Sequence, residues 1–265
     1  MCRLAAYVGS EAVAASTLLY DMPASLERMA YAPQELLTGH VAVDGTGVAW
    51  WPPESDAPLR YITDKTPWSD PNLPLLAPTF VGSPVIAAVR SATEGISYGQ
   101  DNVAPFITGD LAGAHNGWIG GFPGAVGRAL LGRLSDERFG RLSAMNDSRA
   151  LILLVDQYRG DGVGEDLAET VSAVIADVAE TVIAAGEAAT LNLIVAAGGE
   201  MVAARASAAT EVNSLYLKSA PAGSWVASEP MDDSPRWRPQ PPHSVALLTA
   251  DGIEVRSLNG GGRAR

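Results

Sequence analysis

The chain has 265 residues, 47% of them hydrophobic, and a formal net charge of −12. This is enough apolar material for a large core, and the acidic balance denies nucleic acid or an anionic membrane the basic footprint that either partner needs. Met1 to Gly9 lacks the h-region and cleavage site of a signal peptide. Val171 to Ala185, the longest strongly apolar stretch, is too short and too interrupted by Asp177 and Glu180 to span a bilayer. The expected compartment is the cytoplasm.

In chain order, Arg3 to Val8 fits a buried strand and Ala24 to Ala30, before Pro33, a short helix. Val41 to Trp51 reads as a strand with a turn or bulge at Asp44-Gly45-Thr46-Gly47. Proline recurs from Pro52 to Pro84, which predicts a long ordered loop, and Val85 to Val89 is a second buried strand. His115-Asn116-Gly117-Trp118 ends a further strand-like stretch. Helical spacing then covers Ala125 to Leu142, Asp147 to Tyr158 and Asp166 to Ala185. The period changes again, and Leu191–Ala197, Met201–Ala206, Ser214–Leu217, Ser224–Ser228, Ser244–Leu248 and Ile253–Leu258 read as strands. Strands, then helices, then strands imply an α+β fold in one domain, residues 1–259, with a frayed tail over 260–265.

Cys2 is the single cysteine, so it has no intramolecular disulfide partner. With His40, His115 and His243 it makes a poor zinc set, and no metal is expected. The stretch Gly160 to Gly164 lacks the strand–Gly-x-Gly-x-x-Gly–helix context, there is no P-loop, and no cofactor is expected. Position gives Cys2 its interest. The small side chain at position 2 permits removal of Met1, and a mature N-terminal cysteine carries its own base, an α-amine titrating near ~8. Without that processing the residue is an ordinary inert thiol.

Three other sites have two readings each. Asn116-Gly117 is either a tight turn or a carboxamide beside a glycine N–H, a pair of donors for an oxyanion. Arg90, leaving an apolar strand, either forms a structural ion pair or clamps a substrate carboxylate, with Thr93 adding a hydroxyl. Asp147 either caps a helix or holds a substrate ammonium. Together a thiolate, an oxyanion hole, a cation and an anion describe a free α-amino acid head with a side-chain amide to cleave.

Met1-Cys2, Val89-Arg90-Ser91-Ala92-Thr93, His115-Asn116-Gly117 and Asn146-Asp147-Ser148, in this order, resemble the class II glutamine amidotransferases of the N-terminal nucleophile hydrolase superfamily. Tyr31-Ala32-Pro33, Val41 to Gly47 and Ala227 to Asp233 are similar to the branch that hydrolyses γ-glutamyl-hercynylcysteine sulfoxide in ergothioneine biosynthesis. The resemblance implies a four-layer α/β/β/α sandwich. It makes Cys2 the nucleophile and its α-amine the base, gives the oxyanion hole to Asn116 and Gly117, the α-carboxylate to Arg90 and Thr93, and the α-amine to Asp147. The chain departs from the family pattern at Leu4, where a histidine is expected, and at Thr46, where an aromatic between glycines is common.

The expected activity is hydrolysis of a small-molecule γ-glutamyl amide that releases glutamate from γ-glutamyl-hercynylcysteine sulfoxide. Two alternatives stay open: a glutaminase subunit delivering ammonia to a separate synthase, and a catalytically silent binding module. A homo-oligomer also stays open. Trp50, Trp51 and Trp118 belong either to the core or to the wall of a leaving-group pocket.

Overall fold

The computed structural model describes residues 2–37, 41–91 and 99–258. Strand β1 (Arg3–Gly9) is followed by β2 (Val13–Ala14), a helical turn at Thr17–Asp21 and helix α1 (Leu26–Tyr31). Next come β3 (Thr46–Trp50), β4 (Leu59–Thr63), α2 (Leu73–Leu76), β5 (Val81–Gly82) and β6 (Val85–Val89). β7 (Phe106–Thr108) and β8 (Leu111–Ile119) lead into α3 (Ala125–Leu131), α4 (Asp136–Phe139), α5 (Asp147–Gly160) and α6 (Leu167–Ala184). The last part holds β9 (Ala189–Ala197), β10 (Glu200–Arg205), β11 (Ser207–Ala208) and β12 (Tyr216–Ala220). β13 (Gly223–Ala227), β14 (Arg238–Pro239), β15 (Ser244–Leu248) and β16 (Ile253–Ser257) complete it. No helix among the described residues is long and apolar enough to cross a membrane.

Two antiparallel sheets form the centre. The first runs β14-β12-β13-β1-β6-β3-β4, and the second runs β16-β15-β10-β9-β8-β7 with β11 also pairing β9. Alternation along the strands sorts the apolar residues into three layers of core. Leu4 and Ala6 of β1, Ile86 and Ala88 of β6, and Ala112 and Ala114 of β8 meet between the sheets. On the outer face of the first sheet, Ala5, Tyr7, Val85 and Ala87 pack against Leu18, Leu26 and Met29. On the outer face of the second, Leu191, Leu193 and Val195 pack against Leu151, Val155, Val171 and Val178 of α5 and α6. This is the expected α/β/β/α sandwich. Strands covered on both faces read as continuous apolar runs, and all nine residues of β9 are buried. One helix layer is thin: α1 has 6 residues, whereas α6 has 18.

Local chemistry accounts for the departures from the expected elements. The stretch from Pro52 to Pro84 is not one loop; it contains the edge strand β4, α2 and β5. β4 pairs only with β3, so its flanking prolines cost no ladder bonds. The expected strand from Val41 starts only at Thr46, because Gly45 turns the chain at φ +136°. Ala125 to Leu142 is broken: α3 stops at Gly132, and Ser135, accepting from the Arg138 N–H, starts α4. β14, an edge strand holding Pro239, was not foreseen. The tail from 260 and His40 lie outside the described residues.

The outer face of β1 carries a buried charge. Arg3 Nη1 lies 3.4 Å from Glu229 Oε1, with side-chain exposures of 2% and 5%. Glu229 also accepts the N–H groups of Gln34 and Glu35, each at 2.9 Å, and Arg3 Nη2 donates to the Glu35 carbonyl at 2.9 Å. Removing one partner leaves the other charge desolvated and alone. Glu229→Ala should therefore lose about 3–5 kcal/mol of stability, read as a lower denaturant midpoint. A wild-type midpoint would contradict this account of the pair.

Candidate active site

Side-chain alternation brings the predicted residues to one place. Cys2 shares the face of Leu4, Arg90 that of Ala88, and Asn116 that of Ala114, so all three turn into the space between the sheets. A small pocket at the end of that space is lined by Cys2, Arg90, Gly117, Asn146 and Asp147, with His115 and Ser148 beside them; Asn116, next to Gly117 in β8, is not part of the lining. Thr93 lies outside the described residues.

Cys2 is half-buried and its Sγ donates to the Ser91 carbonyl at 3.6 Å. Burial pushes the thiol up from its ordinary pKa; the Ser91 contact, the positive N-terminus and Arg90 pull it down, and Asp147 pushes it up. Burial is the largest effect, so the thiol stays protonated at neutral pH and needs a base to become a nucleophile. Both charged residues lie close enough to act on the sulfur.

Arg90 is buried just beyond β6. Its N–H donates to Gly45 O at 2.8 Å and its carbonyl accepts from Asp44 N–H at 2.9 Å, so the turn before β3 fixes its backbone. A side chain at Gly45 would collide with Val103 Cγ2 at 2.5 Å and Thr63 O at 2.9 Å. Thr46 is buried beside this turn, its Oγ1 donating to Lys65 O at 2.9 Å.

Asn116-Gly117 is not a turn. Both residues lie inside β8, opposite Asn192 and Leu191 of β9. The Leu191 N–H bonds Ala206 O on the far side of β9, at 2.9 Å. By antiparallel alternation its partner Gly117 points its own N–H away from β9, toward the pocket edge. A Cβ at Gly117 would meet Thr190 O at 1.9 Å and His115 Nε2 at 2.5 Å, so only glycine fits. Asn116 is 1% exposed, and its Nδ2 donates to no described residue.

The helix cap is Asn146, not Asp147: Asn146 Oδ1 accepts the Arg149 N–H at 3.0 Å. This frees Asp147, the first residue of α5, to turn toward β8, where its Oδ2 accepts the Ile119 N–H at 3.0 Å. Its Oδ1 accepts the Ser148 N–H at 2.7 Å. A carboxylate has about four acceptor positions, which leaves capacity for a ligand ammonium. The helix N-terminus also favours its charge.

Further residues complete the surroundings of the pocket. His115 bonds Ser148 Oγ at 2.9 Å and Thr190 O at 2.8 Å, and burial lowers its pKa despite nearby Asp147, so it is a neutral brace between β9 and α5. Asn146 Nδ2 donates to Asn102 Oδ1 at 2.9 Å, drawing a third pocket residue into the cap. The one sequence signal was asparagine in apolar surroundings, as at Asn192 between Leu191 and Leu193. Trp50 and Trp51 are core residues: Trp50 stacks on Phe80 with centroids 4.4 Å apart, and Trp51 packs between the sheets. Trp118, half-exposed and next to Gly117, is not among the residues that line the pocket. Among the described residues no group of three His, Cys, Asp or Glu is placed to hold a metal ion.

No family model matches the chain. A gamma-glutamyl-hercynylcysteine sulfoxide hydrolase of Mycolicibacterium smegmatis is 31% identical over 258 residues, 97% of this chain and 100% of the relative. That of Mycobacterium tuberculosis is 28% identical over 261 residues, 98% of this chain and 97% of the relative. Among solved structures, a glutamine aminotransferase class-II domain protein from Silicibacter pomeroyi superposes with a TM-score of 0.70 at 23% identity, covering 98% of this chain and 100% of the other, which supports the fold. With near-complete coverage on both sides, the chain belongs to the gamma-glutamyl-hercynylcysteine sulfoxide hydrolase family.

Proposed function

We propose that the chain hydrolyses γ-glutamyl-hercynylcysteine sulfoxide, the compound in the names of its mycobacterial relatives, at the γ-glutamyl amide bond. The observation that carries this is one pocket lined by Cys2, Arg90, Gly117 and Asp147, with a cation and an anion both acting on a single thiol. That set matches the carboxylate, ammonium and scissile carbonyl of a free glutamyl group.

With Met1 removed, the α-amine of Cys2 takes the thiol proton that burial otherwise retains. The thiolate attacks the γ-carbonyl. Asn116 Nδ2 and the Gly117 N–H donate to the tetrahedral oxyanion, an arrangement in which losing one donor costs ~10²–10³ in rate. The C–N bond breaks, and the α-ammonium protonates the departing amine. Water then attacks the γ-glutamyl thioester, the C–S bond breaks, and glutamate leaves with the thiol regenerated. Arg90, with Thr93, holds the α-carboxylate and Asp147 the α-ammonium. Trp118 is the aromatic beside the leaving group. On this account the protein is a cytoplasmic enzyme that acts on a small molecule, with neither nucleic acid nor membrane as partner.

The clamp is tested by Arg90→Ala and Asp147→Asn, the second keeping an acceptor for the Ile119 N–H. Each leaves one substrate charge unpaired in a desolvated site, which costs about 2–5 kcal/mol. kcat/KM should fall about 10²-fold or more in each variant, while iodoacetamide still alkylates Cys2. Near-normal kcat/KM in either variant would remove that residue from the clamp.

The leaving group is tested by comparing γ-glutamyl-hercynylcysteine sulfoxide with glutamine on the Met1-trimmed enzyme. The sulfoxide should be turned over with the higher kcat/KM. Equal or better turnover of glutamine would instead make the protein a glutaminase subunit, and turnover of neither would make it a binding module.

A further inference from the structure

Asn213 and Ser214, just before β12, belong to no motif recognised in the sequence, yet they bond both halves of the site. Asn213 Nδ2 donates to the backbone carbonyl of Asn116 at 3.1 Å. Ser214 Oγ donates to Ser228 O at 2.8 Å. Ser228 in turn holds Leu4, its N–H donating to Leu4 O at 2.8 Å and its Oγ accepting the Leu4 N–H at 3.0 Å. Leu4 is two residues from Cys2. A chain of hydrogen bonds therefore runs from the oxyanion strand β8 to the nucleophile strand β1, which lie in different sheets and share no ladder.

The clasp is itself held in place. Asn192 Nδ2 donates to Asn213 O at 3.2 Å and to Ser214 O at 3.0 Å, and Arg205 Nε donates to Asn213 O at 2.8 Å. Asn192 is also the register partner of Asn116. Yet the Oδ1 atoms of Asn116, Asn192 and Asn213 are buried without a hydrogen-bond partner among the described residues. The amides of Asn192 and Asn213 are thus bonded through Nδ2 alone, which joins the carbonyls of Asn116, Asn213 and Ser214 to side chains rather than to a strand ladder.

The carbonyl that Asn213 grips shares a planar trans peptide unit with the Gly117 N–H, so fixing the oxygen aims the N–H the opposite way. We propose that Asn213 is a positioning residue. Through this peptide, and with Ser214 tied to the strand of Cys2, it sets the distance and angle between the thiol and the oxyanion donors. The proposal rests on the reading of Asn116 and Gly117 as those donors.

The test is steady-state kinetics on the Met1-trimmed enzyme, using whichever of γ-glutamyl-hercynylcysteine sulfoxide or glutamine is turned over faster. Asn213→Leu should lower kcat about 10²-fold, as an ångström-scale misplacement does. KM and the rate of Cys2 alkylation should stay within about twofold, because the clamp and thiol are untouched. Combined with Asn116→Ala, it should lose clearly less than the product of the two single losses, since both act on one oxyanion hole. Ser214→Ala, which cuts the link to Ser228 and a longer one to the Glu35 carbonyl, should give the same pattern more weakly and serves if the leucine variant does not fold. A wild-type kcat in the variant assayed, fully multiplicative losses, or kcat falling in step with alkylation would overturn the proposal. A wild-type rate in Asn116→Ala would remove the oxyanion reading and the clasp with it; a slow Asn116→Ala beside an unaffected Asn213→Leu would remove the clasp alone.

Discussion

The two-residue period of a paired strand is the constraint on which the site depends. Cys2 and Arg90 line one pocket because each occupies an inward position on the extension of its own strand, and Asn116 takes the inward position next to the pocket-lining Gly117. A slip of one residue between β1 and β6 would turn the thiol to the opposite face. The observed register sets Arg3 against Val89, so the residue after Cys2 faces outward. There Arg3 meets Glu229, which is itself bonded to Gln34 and Glu35. Between the sheets, where the slipped register would put Arg3, the described residues around Leu4, Ala6 and Ile86 are apolar. The buried ion pair on one face thus specifies where the thiol lies on the other.

The electrostatics of the pocket follow from the same geometry. Arg90 and Asp147 act on the thiol with opposite signs, and burial is the largest cause of its raised pKa. Such a site can bind a zwitterionic head without itself turning the cysteine into a permanent thiolate. On the proposed mechanism, reactivity then depends on the α-amine that removal of Met1 would free. Asp147 is available for its part because Asn146 caps α5, and the neutral His115 braces the neighbouring Ser148 without adding charge.

Much of this was legible in the sequence because the residues concerned sit where a pattern changes. Arg90 follows an apolar run, Asp147 opens a helix, and Cys2 directly precedes a strand. The two readings of Asn116-Gly117 could not be separated from the dipeptide alone. A turn and a strand use the same residues, and only the partner β9 decides between them. The clasp was invisible for another reason: its bonds join positions 97 and 224 residues apart, Asn213 to Asn116 and Ser228 to Leu4. Local periodicity carries no trace of such contacts. Edge strands were hidden where proline interrupts the pattern, as at Pro239 of β14. Trp50 and Trp51 look alike in the sequence as core or pocket wall, and they belong to the core because β3 is covered on both faces.

The central claim is that Cys2, with its amine free, carries the glutamyl group. Rapid acid quench of the Met1-trimmed enzyme during turnover, followed by intact-mass and peptide analysis, tests it most directly. The account predicts an added glutamyl residue on the N-terminal peptide, bound as a hydroxylamine-sensitive thioester at Cys2, and no such adduct on chain that retains Met1. Full turnover by Met1-retaining protein, or an adduct at any other residue, would contradict it.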